Sequence, residues 1–232
     1  MIALALACLL HMGRDVQAQT PADGYAAFQK GDFATAVTIW RQLADKGDAS
    51  AQFLLGYMYQ EGQGVPRDEA EAVRLYRAAA LQGDVFGQFN LGVMYAEGRG
   101  VAKDAAEAVR WYRAAAEQGD TAAQFNLGVS YANGRGVPQD DRLAAHWYRA
   151  AAVGGDADAQ YCLGLKYAQG RGLPQDDKEA VRWYRVAADQ GHKEAQQALG
   201  YMYEHGRGVP RDAEEAARWY RAAAGRGQNA AQ

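Results

Sequence analysis

Apolar residues recur along this chain at the spacing of one helical face. Five of them stand at offsets of 0, 3, 4, 7 and 8 in one stretch: Ala108, Trp111, Tyr112, Ala115 and Ala116. Residues at these offsets lie on the same side of an α-helix, and arginines occupy positions between them. The pattern therefore predicts an amphipathic helix that buries a stripe of alanine and aromatic side chains.

The same pattern returns at a fixed period of 36 residues. A glycine that follows a leucine marks the period most clearly, at Gly56, Gly92, Gly128, Gly164 and Gly200. A period of this size is typical of repeat proteins, in which each short unit buries its apolar face against its neighbours. We therefore expect stacked helical units and no single globular centre. Close approach of two helices at Gly128 would exclude any larger side chain there.

Each period divides into two helices, A and B, at a pair of glycines. In one period, Asp84 precedes helix A, and Gly98 and Gly100 end it, because glycine adopts the positive φ that redirects the chain. Helix B follows, with Asp104 and Glu107 at the spacing of a capping box, in which each carboxylate accepts a backbone N–H group of the helix start.

One B helix departs from this capping pattern. Three residues after Asp140 the chain has Leu143, where the other units have glutamate. Loss of a cap costs about 1 kcal/mol. We therefore expect this helix to have the weaker start.

The period also predicts the domain organisation. Residues 21–47 hold a shorter helical pair, which we interpret as an N-terminal cap. Five regular units follow, and a last segment begins a further one: residues 48–83, 84–119, 120–155, 156–191, 192–227 and then 228–232.

Residues 1–20 differ from the rest of the chain. An apolar run over 2–10 and the small residues near Ala18 resemble the core and cleavage site of a secretory signal peptide. We expect export to the periplasm or the cell exterior. The alternative is a disordered leader on a cytoplasmic protein. Nine apolar residues are too few to span a bilayer, so no transmembrane anchor is expected.

Charge and residue inventory argue against several functional classes. The net charge is -3, and basic residues are interspersed with acidic ones, so nucleic acid is not an expected partner. Neither Ser50 nor Ser130 is followed by lysine three residues later, as a penicillin-binding nucleophile requires. Histidines stand at unlike places in different units. We expect no catalytic residue, no metal site and no cofactor.

One cysteine and a row of arginines each have a structural and a functional interpretation. Cys162 is the only cysteine after the leader, so it cannot form an internal disulfide, and we expect a packed side chain and no nucleophile. A row of arginines on the B helices is expected to be solvated and ion-paired along the helix; contact with an acidic partner is the alternative. The row is Arg77, Arg113, Arg149, Arg185 and Arg221.

These repeats resemble the Sel-one-like repeat, a 36-residue relative of the tetratricopeptide repeat. The resemblance rests on the string Ala-Gln-Phe-Asn-Leu-Gly at 123–128, on Gly136-Val137-Pro138 and on Trp147-Tyr148. It implies an all-α fold, a right-handed α/α superhelical solenoid of helix-turn-helix repeats with the A helices on the concave side. It also implies a non-enzymatic scaffold that binds proteins or peptides, often in the bacterial envelope.

One departure from the family leaves an alternative open. Some members carry a disulfide in every repeat and have been linked to binding or hydrolysis of penicillin-like compounds, whereas this chain lacks those cysteines. The alternative function is therefore a β-lactamase-like or cell-wall-ligand-binding protein, with cell-wall fragments as its ligands.

If the family geometry holds, residues of the A helices line the binding groove. The aromatic members have a structural alternative, which is packing between neighbouring A helices. The candidate residues are Phe53, Tyr57, Phe89, Asn90, Val93, Phe125, Asn126, Val129, Tyr161 and Leu165.

Overall fold

The computed structural model describes residues 20–225, and within this range the chain forms twelve α-helices and no β-strand. The helices are α1 Pro21–Gln29, α2 Phe33–Asp45, α3 Ala49–Glu61, α4 Glu69–Leu81, α5 Val85–Glu97, α6 Ala105–Glu117, α7 Thr121–Asn133, α8 Asp141–Val153, α9 Ala157–Gln169, α10 Asp177–Asp189, α11 Lys193–His205 and α12 Ala213–Ala223. Each consecutive pair from α3 onward is one repeat, numbered 1 to 5. The predicted fold class, an all-α solenoid of helix-turn-helix repeats, is confirmed.

Residues 1–19, which hold the predicted export signal, and residues 228–232, which the period assigns to a further repeat, lie outside the described range. None of the twelve helices is long and apolar enough to cross a membrane. The chain divides into two compact units, one ending at Asp84 and the other beginning at Val85.

The first unit holds α1 to α4 around a core centred on one tryptophan. The Trp40 side chain is 1% exposed, and its indole Nε1 donates a hydrogen bond to the Pro21 carbonyl oxygen at 3.0 Å. Leu55 and Met58 of α3 complete the buried cluster. The helix pair at 21–47 thus packs directly on the first regular repeat.

The second unit holds α5 to α12, and a close glycine contact joins the two helices of each repeat. A Cβ atom added to Gly128 on α7 would lie 2.7 Å from Cδ1 of Tyr148 on α8. Gly164 and Tyr184 make the same approach in the next repeat. Because no side chain fits in that space, glycine is required where the tyrosine ring crosses helix A.

The turn from helix A to helix B has the predicted chemistry. Gly134 ends α7 with a φ of 66°, in the left-handed region that glycine adopts without strain. At the other end of α7 the Asp120 carboxylate accepts a hydrogen bond from the Ala123 N–H at 2.7 Å. Both signals act locally, and both could be predicted from the sequence.

The capping box predicted for the B helices is wrong in one half. The Asp104 carboxylate accepts from the N–H groups of Ala106 and Glu107 at 2.9 and 3.1 Å, as expected. The Asp104 N–H, however, donates to the Tyr95 carbonyl oxygen at 3.0 Å. Because that donor is already satisfied, Glu107 turns instead to Arg110, at 3.4 Å.

The prediction of a weaker start for the third B helix is therefore also wrong. The Asp140 carboxylate accepts from Arg142 and Leu143 N–H at 2.8 and 3.0 Å, and the Asp140 N–H donates to the Tyr131 carbonyl oxygen at 3.0 Å. Helix α8 thus begins with the same backbone bonds as α6, since the missing glutamate has no capping role in either.

Arginine–tyrosine hydrogen bonds join neighbouring repeats of the second unit. Arg113 donates to the Tyr131 hydroxyl at 2.6 Å, and Arg149 donates to the Tyr167 hydroxyl at 2.6 Å. The expectation that these arginines pair with carboxylates along their own helix is wrong. Their partner lies on the A helix of the next repeat, where the tyrosine also accepts the N-cap bond through its carbonyl group.

Buried glutamines form a second connection between repeats. Gln160 is 2% exposed, and its side-chain amide donates to the Ala152 carbonyl oxygen of the preceding repeat at 3.1 Å. The Gln160 side-chain oxygen accepts from Gln190 at 2.7 Å. Each polar atom of this buried amide group therefore has a partner, as burial requires.

Candidate functional site

In repeats 3, 4 and 5 the loop after helix A lies against the first residue of the preceding B helix. A Cβ atom added to Gly136 would lie 2.1 Å from the Ala105 carbonyl oxygen, and one added to Gly172 would lie 2.1 Å from the Asp141 carbonyl oxygen. Only glycine allows this approach, and it fixes where the arginine beside it can reach. This arginine is Arg135 in repeat 3, Arg171 in repeat 4 and Arg207 in repeat 5.

A carboxylate meets this arginine at two of the junctions between repeats. Arg171 donates to the two Asp141 oxygens at 3.2 and 3.3 Å, and Arg207 donates to the two Asp177 oxygens at 3.1 and 2.7 Å. Both contacts use two nitrogens of the guanidinium on two oxygens of the carboxylate. This forked geometry suits arginine and carboxylate particularly well.

A buried lysine reinforces the first of these pairs. The side chain of Lys166 on α9 is 9% exposed, and its Nζ atom bonds the Asp141 carboxylate. The hydrogen bond from Lys166, helped by the Arg171 guanidinium, lowers the pKa of Asp141 from its ordinary value. The space between repeats 3 and 4 is thus filled by one acidic and two basic side chains.

Between repeats 2 and 3 the same space is an open pocket of about 520 Å³. We call it the Arg135 pocket; six of the residues that line it are Lys103, Ala105, Tyr112, Asn126, Ser130 and Arg135. Ala105 stands where Asp141 and Asp177 stand in the following repeats, so no carboxylate reaches Arg135 from that position.

Most polar side chains of the Arg135 pocket have no partner within the described part of the chain. Within residues 20–225, neither the Arg135 guanidinium nor the Lys103 ammonium has an ion-pair or hydrogen-bond partner, and the Asn126 side-chain amide has none either. The Ser130 hydroxyl donates to the Asn126 carbonyl oxygen at 2.8 Å. The pocket therefore offers two positive charges and a free amide beside apolar surface from Val129 and Tyr112.

The structure brings two of the predicted groove residues, Asn126 and Val129, together in this pocket. Asn90, at the same position as Asn126 one repeat earlier, instead donates to the Phe86 carbonyl oxygen of its own helix at 2.8 Å. Val93 and Leu165 are partly buried against the core of the second unit.

Four of the five predicted aromatic residues pack against a tyrosine of their own repeat. Ring centroids are 6.0 Å apart for Phe89 and Tyr112, 5.9 Å for Phe125 and Tyr148, and 5.9 Å for Tyr161 and Tyr184. In the first unit Phe53 stacks on Tyr76 at 5.9 Å, and Tyr57 meets Phe28 edge-on at 6.5 Å. These side chains are only partly buried. Phe53, Phe89, Phe125 and Tyr161 contact helix B of their own repeat, whereas Tyr57 contacts α1.

Most residues that line the pocket were missed in the sequence, among them Lys103, Ala105 and Arg135. A signal for them was present. Arginine follows the first loop glycine in several units, and the residue 30 positions before it is aspartate twice but alanine at 105. The meaning of that exchange depends on the loop packing against helix B, which the periodicity alone does not predict.

Cys162 takes the place of Asn126 in the following repeat. Burial raises the pKa of its thiol to about 11, so the thiol is protonated near neutral pH and is a weak nucleophile. No group of three or more histidine, cysteine, aspartate or glutamate side chains between residues 20 and 225 is placed to hold a metal ion.

Known protein families identify the repeat. The Sel1 repeat model matches residues 49–84, 85–120, 121–156, 157–192 and 193–228. No curated protein sequence shows significant similarity to the chain.

Two solved structures are similar along most of the chain. A Sel1 repeat protein from Oxalobacter formigenes is 36% identical with a TM-score of 0.83, over 91% of this chain and 84% of that one. The protein c5321, a protective antigen present in uropathogenic Escherichia coli strains, is 37% identical with a TM-score of 0.87, over 96% of this chain. This chain covers 49% of c5321, about half of its length.

Proposed function

Because the chain belongs to the Sel1 repeat family, whose members generally are scaffolds for protein–protein interaction, we propose that it is a non-enzymatic scaffold that binds a protein or peptide at the Arg135 pocket. The observation that supports this proposal is the Asn126 side-chain amide, which has no partner within residues 20–225 and lies with Val129 in a pocket of about 520 Å³. Elsewhere in the unit, the Gln160 amide and the hydroxyl groups of Tyr131 and Tyr167 are paired within the fold. Here the donors and acceptors are left for a ligand.

The chemistry of the pocket suits an extended peptide. A side-chain amide offers both a donor and an acceptor, so Asn126 matches the alternating N–H and C=O groups of a peptide backbone. Val129 and the Tyr112 ring supply apolar contact around it. Binding sites of this kind combine apolar walls with a few polar groups that fix the orientation of the ligand.

A random-peptide display library selected on the purified chain tests this function. We expect enriched peptides that bind saturably, and Asn126→Ala should weaken them about tenfold, the equivalent of one good hydrogen-bonded contact. Binding is measured by calorimetry with synthetic peptides.

Asn133→Ala is the matched control, because Asn133 lies on the same helix and its exposed amide donates to the Val129 carbonyl oxygen of that helix at 3.0 Å. It should leave the affinity unchanged. If no peptide is enriched on the folded wild-type chain, or if both variants bind as the wild type does, the peptide-binding proposal is wrong.

The structure adds no support to the β-lactamase-like alternative. The Ser130 hydroxyl donates to a backbone carbonyl oxygen, and no basic side chain of the described range accepts its proton. Turnover of nitrocefin that is lost in Ser130→Ala would favour that alternative over the scaffold.

We further propose that the scaffold acts in the periplasm or outside the cell. The support is the apolar run and small residues of the first twenty positions. Fractionation of cells that produce the full chain with a C-terminal tag tests this proposal. Recovery only in the cytosol at the full-length mass would contradict export and would favour the cytoplasmic alternative.

A further inference from the structure

Three successive junctions of the second unit place an arginine at the same loop position, and one of the three lacks the aspartate that the other two have. Arg171 and Arg207 each hold an aspartate of the preceding repeat through two hydrogen bonds. Arg135 occupies the same loop position, and its loop packs as closely on α6 as the loop of Arg171 packs on α8. The difference is that Ala105 leaves the place of the carboxylate open.

From this difference we infer that the Arg135 pocket accepts an aspartate or glutamate side chain of the bound partner, in the place that Asp141 and Asp177 fill at the following junctions. The inference rests on the proposed function, because it names the residue type that a bound peptide would insert. Asp141 and Asp177 show, within the same chain, how this arginine position binds a carboxylate.

Charge at the pocket supports the assignment. The Lys103 ammonium group adds a second positive charge to that of the Arg135 guanidinium. Neither group has a partner within the described part of the chain. The carboxylates nearest in sequence are already engaged. Asp104 caps α6, and Glu107 pairs with Arg110 at 3.4 Å. Glu97, which lies near the Tyr112 hydroxyl, pairs with Arg99 at 3.4 Å. An added carboxylate would therefore meet two positive charges that have no ion-pair partner in the described range.

The geometry of the filled junctions favours a carboxylate in particular. At both of them the arginine uses Nε and Nη2 on separate carboxylate oxygens, an arrangement that a carboxylate matches in its plane. At the open junction the Asn126 side chain lines the same pocket as Arg135, where it could bond the backbone that carries the acidic residue. Acidic side chain and peptide backbone would thus be recognised together.

Blocked peptides separate this inference from the function on which it rests. The probes are peptides selected on the wild-type chain with both ends capped, and each is compared with a copy in which every aspartate and glutamate is replaced by its amide. We expect acidic copies to bind at least about tenfold more tightly, the usual scale for losing a charge-assisted pair.

The variants then assign the effect to the pocket. Ala105→Asp should abolish the preference for acidic peptides, because it supplies from within the carboxylate found at the other junctions, and circular dichroism should show the fold retained. Arg135→Gln should reduce the preference about tenfold. Arg171→Gln is the matched control at a junction already filled by Asp141, and it should leave the preference unchanged.

Each outcome decides one question. Saturable binding with equal affinity for acidic and amide copies would overturn the acidic-residue assignment and leave the peptide-binding function standing. Absence of binding by either copy would overturn both. A neutral peptide with a free C-terminal carboxylate that binds as tightly as the capped acidic ones would assign the pocket to chain ends and contradict the side-chain assignment.

Discussion

Two junctions share the same contacts between helices but differ in the side chains between them. They are the junction of repeats 2 and 3, and that of repeats 3 and 4. We call the shared contacts the frame of the junction. Arg113 and Tyr131 tie the first at 2.6 Å, and Arg149 and Tyr167 tie the second at 2.6 Å. At the first, Ala105 and Ser130 leave a pocket of about 520 Å³. At the second, Asp141 and Lys166 fill that space with an ion pair.

Helix packing and the side chains that fill a junction therefore depend on separate positions of the repeat. Glycine, tyrosine and N-cap aspartate hold the helices in register at both junctions. The residue at the start of helix B and the one midway along the next helix A decide whether the space between them is open or closed. Repeats that share the same helix contacts can therefore differ in what fills the space between them.

The largest expected effect comes from breaking the frame that both junctions share. Gly128→Leu places a side chain where even a Cβ atom would lie 2.7 Å from the Tyr148 ring, so α7 and α8 must separate. We expect a loss of about 4 kcal/mol or more in the free energy of unfolding, measured by chemical denaturation. Ala122→Leu, at an exposed position of the same helix, is the control and should change little. Equal stability of the glycine variant and the wild type would show that the close contact is absent.

Removing the Asp141 carboxylate from the junction between repeats 3 and 4 should cause a smaller loss of stability. Asp141→Ala leaves the Lys166 ammonium, only 9% exposed, beside Arg171 without a counter-charge. We expect a loss of about 3 kcal/mol, at the low end for breaking a buried pair, because the Asp141 side chain is itself 28% exposed. Denaturant unfolding measures it.

Two further results would show that charge burial is the cause. Asp141→Ala combined with Lys166→Ser gives this junction the residue types of the open one, and most of the lost stability should return. Because the pKa of Asp141 is lowered in the folded chain, its contribution is present above the ordinary carboxyl pKa of about 4 and is lost as the pH falls through the lower folded value. The difference in the free energy of unfolding between the wild type and Asp141→Ala should therefore decrease as the pH falls over that range.

Replacing the buried Lys166 by methionine should increase the free energy of unfolding, by less than Asp141→Ala decreases it. Met58 and Met202 occupy the position of Lys166 in other repeats, so Lys166→Met fits the local packing and removes the cost of burying the ammonium. Asp141 keeps Arg171 as its partner. We expect a gain of about 1 to 2 kcal/mol in the free energy of unfolding. A loss of similar size would mean that the lysine pair stabilises the junction.

The smallest expected effect tests whether the two frames are equivalent. Tyr131→Phe and Tyr167→Phe each remove the hydroxyl that accepts from an arginine, and each should cost about 1 kcal/mol. The two costs should agree within about 0.5 kcal/mol. Tyr25→Phe, at a half-exposed ring, is the control. A large difference between the first two would show that the junctions differ in their frame as well as in their contents.

Much of the fold could be predicted from the sequence, and less of the candidate site. Helix positions, the glycine turns and the close contact at Gly128 follow from the period and from local backbone chemistry. Of the ten predicted groove residues, Asn126 and Val129 line the Arg135 pocket, while Phe89, Phe125 and Tyr161 stack on helix B of their own repeat. The pocket also needs Ala105 and Arg135, which stand 30 positions apart and meet only because a glycine loop packs on a helix start.

The sequence by itself determined the repeat, its two helices and their ends, since these depend on residues within a few positions of one another. Only the tertiary structure decided which partner each polar group takes. The Asp104 N–H donates to the Tyr95 carbonyl oxygen and not to Glu107, and Arg113 bonds Tyr131 and no carboxylate. Hydrogen bonds form between the groups that packing brings within about 3 Å, and that packing joins residues 9 to 30 positions apart, beyond the reach of any local pattern.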